Sequence, residues 1–244
     1  MIDAITKRIP SLLTVSNLAL GIGALLLASK GRTSDAALMV VIGMVLDGFD
    51  GRAARFFHAE SEFGRELDSL SDIVTFGVAP TLILWHVVLR DMGTVGVAIA
   101  ILFPICGALR LARFNVAKKA TNYFVGLPIT AAGGILATLA LYRDLLDPAN
   151  VILSLGMVVL ALLMVSHARY PNFKKVAFPR SAIVVVPLLA IAVYIIFRYQ
   201  YAVVNRLIFV PLALYAVYGI GRMLRHRRRL RNDREAEPAK PGLK

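Results

Sequence analysis

Apolar residues fill most of this chain in blocks of roughly twenty, separated by short polar stretches. A block of that length is what an α-helix needs to cross the ~30 Å hydrocarbon layer of a bilayer. The blocks predict helices at about 10–29, 34–55, 64–89, 93–114, 125–143, 147–169, 179–198 and 202–224. The expected fold is therefore all-α, a polytopic integral membrane bundle of eight transmembrane helices. A transmembrane domain would occupy residues 1–224, and residues 225–244 would form a basic, disordered tail. Helices two and three should project beyond the hydrocarbon, because a strongly polar stretch occupies their shared end.

That stretch, Asp47 to Asp72, reads DGFDGRAARFFHAESEFGRELDSLSD. Asp47, Asp50 and Ala54 fall on one face of the first helix, at i, i+3 and i+7. Gly64, Asp68 and Asp72 fall on one face of the second, at i, i+4 and i+8. Packed antiparallel, the two helices would bring four carboxylates into one pocket. Such a pocket repels itself unless cations fill it, and hard divalent cations with oxygen ligands, Mg²⁺ or Mn²⁺, are the natural occupants. Gly51 and Ala54 leave room for a bulky ligand, while Arg55 and Arg65 add positive charge suited to a phosphate-bearing substrate. A solvated acidic hairpin is the alternative. The adjoining apolar runs argue against it, since ionisable groups beside a bilayer are costly and usually functional.

Composition changes the picture in two places. The net charge of +13 would suggest nucleic acid in a soluble protein, but no interleaving of basic and aromatic residues supports an RNA-binding module. The charge is better explained by topology. Placing the N-terminus, the aspartate stretch, 110–119, 167–180 and the tail on one side leaves only Lys30, Arg32, Arg90, Arg143, Arg198 and Arg206 opposite. The split is 22 against 6 of the 28 Lys and Arg. Positive residues stay inside, so the aspartates are expected to face the cytoplasm from the cell membrane, with Trp85 and His86 near the other interface. The basic cluster Arg225, Arg227, Arg228, Arg229 and Arg231 serves as a topology anchor or attracts anionic lipid. The start of the chain lacks the apolar core and cleavage site of a secretory signal. Cys106 is the only cysteine, which excludes an intrachain disulfide and fits a buried thiol. His58, His86, His167 and His226 have no metal-ligand spacing. Gly133 with Gly134, and Gly219 with Gly221, would allow close helix approach, a homodimer included, without establishing one.

Three further stretches carry chemistry. GALRLARFNV puts Arg110 and Arg113 one turn apart at the cytoplasmic end of helix four, with Asn115 beyond; two such arginines can grip a carboxylate or a lipid phosphate, or merely fix topology. FVGLPITAAGG opens helix five with Pro128 in its first turn. MVSHARYPNFKK forms a basic loop with Arg169, Tyr170, Asn172, Lys174 and Lys175 around Pro171, a cover for the site or a plain connector.

Asp47, Asp50, Gly51, Ala54 and Arg55 in the spacing D-x-x-D-G-x-x-A-R, followed after eight residues by G-x-x-x-D-x-x-x-D, resemble the full signature of the CDP-alcohol phosphotransferase family. ALRLARFN, GLP and YP-x-FK look like its membrane-integral phosphatidylserine synthase branch, in which proline often stands where this chain has Thr130. The resemblance runs to about Arg222. It implies that CDP-diacylglycerol and L-serine give phosphatidylserine and CMP. It also implies two cations, one on Asp47, Asp50 and Asp68, the other on Asp47, Asp68 and Asp72, with Asp72 as general base. Gly51, Arg55 and Ser61 match family positions that contact the donor. Ala54 and Gly64 belong to the same set, and Thr14 and Asn17 on helix one are further candidates. Arg110, Arg113 and Asn115 are the acceptor candidates. Because the signature handles the shared donor, glycerol phosphate, inositol phosphate or choline remain alternative acceptors. A cation transporter is the rival of another class, disfavoured because the acids sit at one end and no broken-helix pair is apparent.

Overall fold

The structure, a computed structural model, describes residues 9–57, 59–116 and 123–171. Its helices are α1 (Ile9–Ser29), α2 (Thr33–Phe56), α3 (Glu62–Asp72), α4 (Ala79–Val87), α5 (Gly93–Val116), α6 (Ile129–Ala140) and α7 (Ala149–Val165). Short 3₁₀ turns at Leu89–Met92 and Arg143–Leu145 close two of the connections. The chain runs back and forth, so the end of α2, the start of α3, the end of α5, the start of α6 and the end of α7 meet at one end. Lys30, Arg32, Arg90 and Arg143 lie at the other. The helices expected at 179–198 and 202–224, the tail from 225, His58 and the stretch Asn172–Lys175 lie outside the described residues.

Among the described residues three spans, Pro10–Ser29, Glu62–Val87 and Leu89–Val116, are long and apolar enough to cross a membrane. The core between the helices mixes small and branched side chains, among them Ala24, Ala36, Val40, Ile83 and Leu136, with the larger Phe76 and Met157. Cys106 is buried there too. Small residues permit the close approach that holds helices together where lipid removes the hydrophobic driving force. A Cβ at Gly21 would overlap the Thr75 hydroxyl, and one at Gly133 would overlap the Phe76 carbonyl oxygen. The seats of α1 and of α6 on the segment 73–78 both depend on this closeness.

The third apolar block is not one regular helix. Between α3 and α4 it widens into a π-helical turn, Ile73–Val78, with the Ala79 N–H bonded to the Val74 carbonyl five residues back. The local cause is Pro80, which has no N–H for the Phe76 carbonyl four residues earlier. That carbonyl leans on Gly133 of α6 instead.

The fifth block begins later than its hydrophobicity suggests. Helix was expected from 125, but Tyr123–Val125 is a strand, β1, paired antiparallel with β2, Arg169–Pro171. Val125 stands opposite Arg169, where the sixth helix was expected to run on; α7 stops at Val165. Gly126 makes the turn between β1 and α6 at φ 81°, and a Cβ on it would overlap the Met164 carbonyl. Its N–H bonds to the Ala168 carbonyl at 2.8 Å, and the Leu127 N–H to that of Leu163 at 3.1 Å. These bonds to the end of α7 hold the chain extended, so α6 starts only after Pro128, its N-cap. Apart from this strand pair the described residues match the all-α expectation.

Candidate active site

The site starts from the close packing of α1 on α2. Gly43 lies where a Cβ would come within 2.7 Å of Asn17 Oδ1 and 2.8 Å of Thr75 Cγ2, so α1, α2 and the π turn meet there. One to two turns further along α2 come Asp47 and Asp50. Asp50 is buried, and its Oδ2 lies 2.9 Å from the Thr14 hydroxyl, which is also 3.0 Å from the Pro10 carbonyl. The second pair of acids arrives on α3. Ser61 caps that helix, its hydroxyl accepting from the Gly64 N–H at 3.0 Å, which fixes where the helix starts and the direction in which Asp68 and Asp72 project. Two bonds then tie this strand of the bundle to α1: the Ser71 hydroxyl donates to the Thr14 carbonyl at 3.2 Å, and the Thr75 hydroxyl to that of Asn17 at 3.1 Å.

Oxygen atoms of Asp47, Asp50 and Asp68 all lie within 4.8 Å of one another. Asp47 also reaches hydrogen-bonding range of Asp68 and Asp72. Asp72 is buried, and its Oδ1 accepts no hydrogen bond. Carboxylates so placed cannot all be ionised without a cation among them. Arg110, only 8% exposed at the end of α5, supplies one positive charge within electrostatic reach of Asp47 and Asp72. Arg55 reaches Asp50 in the same way, and two guanidiniums do not balance four acids. The donor set, all hard oxygens with a buried acceptor to spare, fits a divalent cation of the Mg²⁺ or Mn²⁺ kind.

The remaining candidates divide by position. Arg55 lies along Gly51: a Cβ on the glycine would be 3.7 Å from its Nη1. Ala54 beside them is half-buried and Arg55 is exposed, so this side of the cluster opens outward. The Ser61 hydroxyl and the Gly64 N–H bond to each other as the helix cap. Asn17 is fully buried, and neither atom of its amide has a hydrogen-bond partner. Arg110 and Arg113, equivalent in sequence, part company. Arg110 turns inward beneath the ring of Phe114, 5.5 Å away. Arg113 is exposed and donates to the Val165 carbonyl of α7 at 3.1 Å. Asn115 reaches α3, donating to Ser69 Oγ at 3.0 Å and lying 3.4 Å from a Glu66 oxygen. One contact to the acids had no place among the sequence candidates: the Thr130 hydroxyl of α6 lies 3.2 Å from Asp47 Oδ2. The signal for it was a hydroxyl in the first turn of a largely apolar helix at the aspartate end.

A membrane-type helical bundle with a carboxylate triad able to bind a metal ion at one end is the class that fold and site define. The model of the CDP-alcohol phosphatidyltransferase family matches residues 7–168, and the chain belongs to that family. It is 40% identical over 222 residues to a CDP-diacylglycerol–serine O-phosphatidyltransferase of Helicobacter pylori, covering 88% of this chain and 90% of the relative. Proteins of the same name from Bacillus subtilis and Methanocaldococcus jannaschii are 40% and 32% identical, over 68% and 87% of this chain and 92% of each relative.

Proposed function

We propose that this chain is a CDP-diacylglycerol–serine O-phosphatidyltransferase. The observation that carries the reading is the meeting of four aspartates and one buried arginine at a single end of the bundle. Relatives that match over most of the chain and share one printed name support serine as the acceptor. In the proposed reaction the serine hydroxyl oxygen attacks the phosphorus that carries diacylglycerol. The bond from that phosphorus to the bridging oxygen breaks, and CMP departs with the electron pair. Asp72 takes the hydroxyl proton. Asp47, Asp50 and Asp68 would hold one divalent cation, and Asp47, Asp68 and Asp72 a second. Cations bound there would neutralise the diphosphate and polarise the phosphorus under attack. Gly51, Ala54 and Gly64 leave space for the donor, Arg55 faces its phosphates, and the start of α1 with Thr14 and Asn17 lines the inner side. Arg110 is the partner for the serine carboxylate.

An acceptor panel tests the reading. Purified protein with CDP-diacylglycerol and Mg²⁺ or Mn²⁺ should release CMP with L-serine and not with glycerol 3-phosphate, inositol phosphate or choline. Release with another acceptor in place of serine would reassign the substrate; no release with any would remove the enzyme reading and leave ion transport.

The chain is further proposed to span the cell membrane eight times, with the transmembrane domain over 1–224, the tail over 225–244 and the aspartates facing the cytoplasm. The 22-to-6 charge split supports that orientation, as does the position of Lys30, Arg32, Arg90 and Arg143 at the opposite end. Ser61 is exposed beside the site, so a Ser61→Cys, Cys106→Ala protein provides the probe. Loss of the cap costs about 1 kcal/mol, which leaves the fold intact. The new thiol should resist an impermeant reagent in intact cells and react once they are opened. Labelling in intact cells would invert the topology.

A further inference from the structure

Thr130 is the second residue of α6, and its hydroxyl lies 3.2 Å from Oδ2 of Asp47, a residue 83 positions earlier in the chain. A threonine inside an apolar helix ordinarily turns its hydroxyl back to a carbonyl of the preceding turn. Thr138 does so in this same helix, 2.7 Å from the Gly134 carbonyl. Thr130 has no preceding helical turn, because β1 and Gly126 keep the chain extended up to Pro128. Its hydroxyl is thereby presented to α2. The hydroxyl is placed by rigid parts. Leu127 is bonded to α7, and Gly133, one turn further along α6, rests on the backbone of Phe76 in the π turn.

Asp47 shares the triad with Asp50 and Asp68 and lies within reach of Asp72 as well. Left alone, its carboxylate can rotate about its last bond among several orientations. A donor fixed on Oδ2 selects one of them and leaves Oδ1 and the second lone pair of Oδ2 for a cation. We infer that Thr130 is a positioning residue that sets the orientation of the Asp47 carboxylate and so tunes divalent-cation affinity. The inference deepens the proposed function and rests on it. The chemistry is that of an outer hydrogen bond to a carboxylate ligand, whose removal costs about 10- to 100-fold in metal affinity or activity.

The test uses the full-length protein in detergent, with Mn²⁺ binding followed by electron paramagnetic resonance and CMP release measured alongside. Thr130→Val, nearly isosteric, should weaken Mn²⁺ binding about 10- to 100-fold and raise the Mn²⁺ concentration for half-maximal activity by the same factor. Turnover at saturating Mn²⁺, and the KM for CDP-diacylglycerol there, should stay near wild type. Thr130→Ser, which restores the hydroxyl, should restore affinity. Should the valine protein fail to accumulate, Thr130→Ala against Thr130→Ser is the same comparison. Wild-type Mn²⁺ affinity in a folded Val or Ala variant would overturn the inference while the enzyme reading stands. Weakened binding that serine does not recover would reduce Thr130 to packing and overturn it too. Absence of Mn²⁺ binding in the wild type would overturn the metal-assisted reading itself.

Discussion

Alanine in place of Asp68 is expected to lower turnover by at least about a thousandfold, ~4 kcal/mol of transition-state stabilisation, while the protein still folds and inserts. Asp68 is the one residue of α3 in the triad with Asp47 and Asp50, so its removal leaves both remaining ligands on a single helix. Alanine at Asp47 should do the same, since Asp47 is proposed to touch both cations. Excess Mg²⁺ or Mn²⁺ should not restore either variant. The stability of the metal-free protein gives an independent sign. Taking one carboxylate from a crowded, partly buried cluster relieves repulsion, so metal-free Asp68→Ala should melt no lower than metal-free wild type. CMP release in both metals decides the matter: activity above roughly one per cent of wild type, a loss of less than ~2.7 kcal/mol, would show that two cations are not held as proposed.

The second large effect separates two arginines that the sequence left equivalent. Lysine at Arg110 should raise the KM for serine about ten- to a hundredfold, the loss of a charge-assisted contact of ~1.5–3 kcal/mol, with the KM for CDP-diacylglycerol little changed. Lysine keeps the charge beside Asp47 and Asp72 and removes only the flat fork that binds a carboxylate at two points. Arg113→Lys should leave serine dependence near wild type, because its guanidinium is already turned away to the α7 carbonyl. Any effect it has belongs to stability. Initial rates over a serine titration at saturating donor distinguish the two. A selective rise for Arg113→Lys, or for neither, would move the carboxylate partner elsewhere, with Arg169–Lys175 the next place to look.

The convergence of the aspartates was legible because it depends on only two things. Spacing within a helix is fixed by its geometry, and a short polar connection forces neighbouring helices to pack antiparallel. What the sequence concealed lies between elements distant along the chain. Nothing local distinguishes Arg110 from Arg113; only the position of α7 does. Nothing local marks β1, because Phe124, Val125 and Leu127 suit a helix as well as a strand, and the partner strand lies some forty residues on. The π turn did leave a trace. Gly64, Asp68, Asp72, Phe76, Pro80 and Leu84 recur every four residues, and all are half-buried or buried. In a regular α-helix each such step overshoots by about 40°, so the last would lie roughly 200° from the first. A four-residue repeat that keeps one face over that distance requires a wider turn, and Pro80 marks its end.

Helix α7 contributes no side chain to the cluster, yet α5 and α6, which bring Arg110 and Thr130 there, are splinted to α7. Its end receives Arg113 from α5 and Leu127 from the lead into α6, and Ala168 just beyond it receives Gly126. The distance between Arg110 and Thr130 is thus measured off against one helix, as two jaws are set by the body of a vice. The proposed serine contact and the proposed brace on Asp47 share a single datum. A fault in α7 would shift both together, with every reactive group still in place.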